Sequence, residues 1–144
     1  IDEGLLGVET AVSGFGLCLV GGEVPATGGD LHPRTGLGLS QDERYLFFLT
    51  IDGRQPSSLG ATVRDVGDLL KKFGAYTGIN MDGGGSTTMA WWDTNAEGED
   101  KCQLLNSPVG DGDSYDSTGV APFAPTERAT GNNLGVYFLE ASTK

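Results

Sequence analysis

Short apolar runs broken by glycine and polar clusters make up most of the chain, and one stretch alone repeats its apolar residues at helical spacing. In that stretch Val66, Leu69, Leu70 and Phe73 fall at i, i+3, i+4 and i+7, which predicts a helix over 62–73 with one apolar face. Thr62 is the expected N-cap, with Asp65 three residues on in a capping-box position. Lys71 and Lys72 sit in the last turn, where the helix dipole favours cations. Gly74 comes next as a natural stop. The remaining apolar runs read as strands at 17–20, 36–40, 45–51, 75–80, 87–92 and 134–139. The polar turn Gln41-Asp42-Glu43-Arg44 makes 36–40 and 45–51 a hairpin. The run at 45–51 is apolar almost throughout and predicts a central strand buried on both faces.

The element order implies an α+β fold: a mixed, mostly β sheet with one main crossover helix, at about 62–73, packed on it. Strand 45–51, helix 62–73 and strand 75–80 form a candidate βαβ unit with a right-handed crossover if its strands are parallel. Both strands then deliver their carboxyl ends to one edge, where α/β sheets tend to bind ligands. With 144 residues, no repeat and no linker, the chain reads as one domain, 1–144. The segment 108–131 is long and irregular, as functional loops often are.

Composition narrows the functional classes. The net charge of -11 and the lack of a basic stripe argue against a nucleic-acid partner. No apolar run approaches the length of a membrane span. Cys18 and Cys102 do not define a disulfide, and two reduced, partly buried thiols are the favoured reading. Glycine is the unusual number, 24 of 144 residues without a Gly-X-Y period. It suggests tight turns and backbone that approaches something closely.

The candidate chemistry lies at the strand ends. Strand 45–51 runs into Asp52-Gly53-Arg54, and strand 75–80 into Asp82-Gly83-Gly84-Gly85-Ser86, so two Asp-Gly turns are expected side by side at one mouth. Two carboxylates flanking a sugar are what glycoside hydrolysis usually needs. Each Asp-Gly alone also suits an ordinary turn, but three consecutive glycines before Ser86 and Thr87 point to function at Asp82. Exposed N–H groups of that loop are candidate receptors for an anion or a sugar hydroxyl. Arg34, Arg54 and Arg128 each sit in a short loop motif and suit bidentate phosphate binding, against the weaker alternative of surface ion pairs. His32, the sole histidine, is as much a packing residue as a proton carrier. Asp111-Gly112-Asp113-Ser114-Tyr115-Asp116 fails the calcium-loop pattern, and a solvated acidic loop is favoured over a divalent-cation site. Trp91 and Trp92 read mainly as strand packing, one facing in and one out, the outward one able to stack on a sugar.

Four blocks, in order, resemble the phosphodiester glycosidase family. They are His32-Pro33-Arg34-Thr35 leading into Gly38; Ile51-Asp52-Gly53-Arg54; Gly74-Ala75 with Asn80-Met81-Asp82-Gly83-Gly84-Gly85-Ser86-Thr87-Thr88-Met89; and Asn106-Ser107-Pro108 with Glu127-Arg128. Met81 stands where the family block usually has Leu. The resemblance implies a cofactor-free hydrolase that cleaves a sugar-1-phosphodiester, such as an N-acetylglucosamine phosphodiester, or a related glycan linkage. A glycan- or cell-wall-binding domain of the same fold without catalysis is the alternative. Asp82, Glu127 and Asp52 become the candidate catalytic carboxylates. Arg34, Arg54, Arg128, His32, Asn80, Gly83, Gly84, Gly85, Ser86, Thr87 and Asn106 become candidate substrate contacts. The family also implies a secreted, periplasmic, cell-surface or luminal protein. Its domains carry an upstream Asn-Gly-x-Phe-Phe element that does not occur here, and Ser13-Gly14-Phe15-Gly16 matches the family residues on the carboxyl side of that element. The chain is therefore expected to be the C-terminal part of a larger domain, with an upstream fragment as a partner.

Overall fold

The structure, a computed structural model, describes residues 10–25, 27–110, 127–131 and 133–137. Among them are strands β1 (Gly16–Leu19), β2 (Arg34–Leu39), β3 (Leu46–Ile51), β4 (Thr77–Asn80), β5 (Ala90–Trp92) and β6 (Cys102–Leu104), and one helix, α1 (Val63–Phe73). This is the mostly-β α+β architecture expected. The first four strands form one sheet in the order β1-β4-β2-β3, and β5 pairs with β6 in a separate ribbon. β6, only three residues long, was not legible as a strand.

Both ends of α1 behave as their residue types require. The Asp65 N–H donates to Thr62 Oγ1 at 3.1 Å and the Thr62 N–H donates to Asp65 Oδ2 at 2.8 Å, which closes the capping box. Gly74 takes φ 106° and caps the carbonyls of Leu70 and Lys71. The buried residues of α1 are Val66, Gly67 and Leu70. Phe73, expected on the apolar face, is exposed. The reason is the close approach at Gly67, where a Cβ would lie 2.1 Å from the Cys18 carbonyl oxygen. That contact turns the stripe centred on 66, 67 and 70 toward the sheet and leaves Phe73 at its flank.

The sheet receives the helix on a bed of glycines. A Cβ at Gly36 would meet Val66 Cγ1 at 2.7 Å, and one at Gly78 would meet Leu70 Cδ1 at 2.8 Å. The core gathers Cys18, Leu19, Val66, Leu70 and Ala75, with Phe47, Leu49 and Ile51 packed against it. Successive strand residues face opposite ways, so Leu37, Leu39, Leu46 and Phe48 take the other face. There, with Leu17 and Ile79, most of them line an apolar groove. The run at 45–51 is therefore not a central strand. β3 is at the edge of the described sheet, with Leu46 and Phe48 exposed. One of its faces meets the core and the other stays open among the described residues.

β2 pairs antiparallel with both β3 and β4, so β3 and β4 run parallel with β2 between them. The expected βαβ unit forms, but its strands are not neighbours. Register finishes the arrangement, with Arg34 opposite Ile51 and Gly36 opposite Asn80. The start of β2 and the ends of β3 and β4 thus share one edge. Residues 87–89 form no strand, and neither do 134–137; residues 138–139 lie outside the described residues, as does the acidic loop at 111–116. Cys18 is buried, Cys102 is exposed, and both are free thiols. Among the described residues, no helix is long and apolar enough to cross a membrane.

Candidate active site

The glycine loop after β4 is built by tight approach to its neighbours. The Met81 N–H donates to the Thr35 carbonyl at 2.8 Å, which extends the strand pairing by one residue. Asp82 then accepts the N–H of Gly83 on Oδ1 at 2.9 Å and turns the chain. The three glycines answer different demands. A Cβ at Gly83 would lie 2.6 Å from the Pro33 carbonyl oxygen, and one at Gly85 would lie 2.1 Å from the Gly110 carbonyl oxygen. Gly84 has φ +63°, which an L side chain adopts only under strain. The N–H groups of Gly84, Ser86 and Thr87 donate to the carbonyls of Pro33, Gly83 and Gly84. Most donors of the loop are thus committed internally, so its backbone is not the open anion receptor that the glycines suggest.

Side chains provide the charge instead. Arg128 donates to Ser86 Oγ, and its Nη2 lies 4.0 Å from Asp82 Oδ2. Asp82, Ser86, Glu127 and Arg128 all line one cleft of about 1520 Å³. Both Asp82 and Glu127 are exposed, as residues that meet a ligand from solvent must be.

Two further groups lie outside this lining. Arg54, at φ 55°, presents Nη2 to His32 Nδ1 at 3.0 Å. An arginine can only donate, so Nδ1 accepts and the proton of the neutral ring sits on Nε2. Burial pushes the His32 pKa down, and the charges of Arg54 and Arg34 add to the shift against a smaller opposing effect of Asp30. Arg34 donates through Nε to the Ala61 carbonyl at 2.9 Å and through Nη2 to the Asp30 carbonyl at 2.8 Å. Burial and then Arg54 lower its pKa. A Cβ at Gly84 would be 3.3 Å from Arg54 Nη1, and one at Gly85 would be 3.4 Å from Arg128 Nη1. Two guanidinium groups therefore approach the glycine loop, Arg54 at Gly84 and Arg128 at Gly85, and of the three arginines only Arg128 lines the cleft.

Asp52 is placed as a tie within the fold. Its Oδ1 accepts Asn106 Nδ2 and the Ser107 N–H, each at 3.0 Å, and Oδ2 accepts the same N–H at 3.1 Å. Asn106 also donates to the Thr87 carbonyl at 3.0 Å and accepts the Met89 N–H at 2.7 Å. Neither Asp52 nor Asn106 lines the cleft. Asn80 and Thr87 are buried, and Asn80 Oδ1 and Thr87 Oγ1 have no hydrogen-bond partner among the described residues. The structure thus brings Asp82, Ser86, Glu127 and Arg128 together on one cleft, leaves His32, Arg34 and Arg54 outside its lining, and places Asp52 and Asn106 in the frame.

Gln55, which donates from Nε2 to the Ser107 carbonyl at 2.9 Å, completes that frame. Sequence reasoning missed it because a contact to backbone leaves no residue-type signature. It also underrated the tryptophans: Trp91 and Trp92 are both exposed and both line the cleft, where one inward and one outward were expected. Among the described residues, no group of three or more His, Cys, Asp or Glu side chains is placed to hold a metal ion. In comparisons with known proteins, a family model described as phosphodiester glycosidase matches residues 2–137. No curated protein matches the chain.

Proposed function

The chain belongs to the phosphodiester glycosidase family, and on that premise we propose that its cleft hydrolyses the glycosidic bond of a sugar-1-phosphodiester. The observation that carries the proposal is the pairing of Asp82 and Arg128, 4.0 Å apart on one cleft wall. A carboxylate and a guanidinium side by side match the two needs of this reaction. Arg128 meets the phosphate, where a guanidinium stays charged and can bind two oxygens. Its bond to Ser86 Oγ holds it in place for that contact. Asp82 serves the anomeric carbon, either attacking it or taking a proton from the attacking water. The bond between the anomeric carbon and the phosphate oxygen breaks, and its electron pair leaves with the phosphate monoester. That group departs readily, so a weak acid suffices to assist it. Glu127, exposed on the same cleft, is the second carboxylate.

Asp52 contributes by holding Asn106 and Ser107, and through them the 87–89 segment on the carboxyl side of the glycine loop. Arg54, bonded to His32 Nδ1, packs close to Gly84 of the loop. The test replaces Asp82 by Asn and measures sugar release from a glycosyl phosphodiester such as an N-acetylglucosamine phosphodiester. A fall of about 100-fold or more is expected of a lost catalytic carboxylate. Unchanged turnover removes Asp82 from the mechanism.

A further inference from the structure

We propose that Trp91 and Trp92 form a stacking subsite for an uncharged sugar ring of the substrate; this rests on the sugar-phosphodiester reading and adds the chemistry beyond the phosphate. Trp91 is 54% exposed and Trp92 61%. Two indoles left in water on one three-residue strand forgo much apolar burial, and large exposed apolar surface commonly marks a binding site. Neighbouring strand residues leave opposite faces, yet both indoles reach the same cleft.

The ribbon is tied to the proposed site. The Leu105 N–H donates to the Met89 carbonyl at 2.8 Å, and Met89 donates to Asn106 Oδ1. Thr88 and Met89 line the cleft between Ser86 and Trp91. Five residues of extended chain span at most about 18 Å, so the indoles lie within a few sugar units of a phosphate held at Arg128.

Charge decides what kind of sugar. The loop joining β5 to β6 carries Asp93, Glu97, Glu99 and Asp100 against the single cation Lys101. An indole face also presents the negative lobe of its quadrupole. Both features disfavour an anionic chain, and both suit the weakly positive C–H face of a neutral pyranose. The cleft thus divides its work, with the phosphate read by arginine and the neutral ring by tryptophan.

The chain has two tryptophans, so its intrinsic indole emission reports on this ribbon alone. The 144-residue chain is titrated with two neutral probes, the β-1,4-linked N-acetylglucosamine trimer and maltotriose, and with a heparin tetrasaccharide as the anionic probe. A saturable emission change with at least one neutral probe and none with heparin is expected. Trp91→Ala and Trp92→Ala, each leaving one reporter, weaken that binding about tenfold. Trp91→Phe, which keeps a stacking face, restores most of it. In turnover the alanine variants raise KM for the glycosyl phosphodiester and hold kcat, the signature of lost binding shared by ground and transition states. Emission unmoved by both neutral probes, an equal response to heparin, or full affinity in both alanine variants overturns the proposal. Asp82→Asn retains the emission response, so a failed subsite and a failed hydrolase assignment give different results.

Discussion

Single residues here act by the room or the proton they withhold. Gly85 leaves no space for a side chain beside the Gly110 carbonyl, whereas a Cβ at Gly16 on β1 would meet nothing within 4 Å. Gly85→Ala is expected to destabilise the protein by about 1–3 kcal/mol and to lower turnover, while Gly16→Ala leaves both nearly unchanged. Chemical denaturation of the two variants makes the comparison. His32 withholds a proton in the same sense. Its folded pKa is lowered, so in the acid range the unfolded chain binds more protons than the folded one. The His32 contribution is whole above its ordinary value of 6.5. It declines as pH falls below that value toward the lowered folded pKa, because a protonated ring no longer accepts from Arg54. A stability profile against pH should show this decline, and His32→Gln should flatten it. A profile identical in the variant would remove His32 from the balance.

Elements stand on locally encoded devices, which is why they were the most legible part of the fold. The capping box at Thr62 and Asp65, the cationic last turn and the Gly74 stop of α1 are all visible within the stretch from Thr62 to Gly74. Thr62→Ala is expected to cost about 1 kcal/mol, read as a lower denaturation midpoint. Its bond to Thr62 holds the Asp65 carboxyl below its ordinary value. This contribution is present above the unfolded pKa and is lost as pH falls through the folded one. The hairpin of β2 and β3 was equally legible, since the Ser40 N–H to Tyr45 carbonyl bond closes a turn of local polar residues. What an element touches was less so. Phe73 has helical spacing but not burial, and the run at 45–51 has strand composition but an edge position. In both cases a partner distant in sequence decided, Cys18 beside Gly67 in one and β2 between β3 and β4 in the other.

Across the whole molecule, the site is assembled by contacts of long sequence separation. Asp52 at the end of β3 holds Asn106 and Ser107, and Asn106 in turn holds Thr87 and Met89. Asp52→Asn replaces two charged acceptors by one neutral one and places an amide nitrogen against these donors. A loss of about 1–3 kcal/mol is expected, together with reduced turnover. Asn106→Ala should give a similar loss, and the double variant less than the sum, because the two side chains share a contact. Additive losses would show that Asp52 acts elsewhere. The sequence by itself determined which residue types cluster at strand ends and where α1 starts and stops, and it singled out Asp82 and its glycines as the candidate site. Those features depend on spacing and backbone conformation within a few residues. Only the tertiary structure decided that Asp82 lines a cleft with Arg128 while Asp52 bonds Asn106 and Ser107, and that Arg54 lies near Gly84 but outside the cleft lining. Two Asp-Gly turns look alike in one dimension. Strand order and register, which no local pattern encodes, set the partners of each carboxylate. The same holds for the loop after β4, whose glycines serve close packing against Pro33 and Gly110 rather than an open nest of N–H groups.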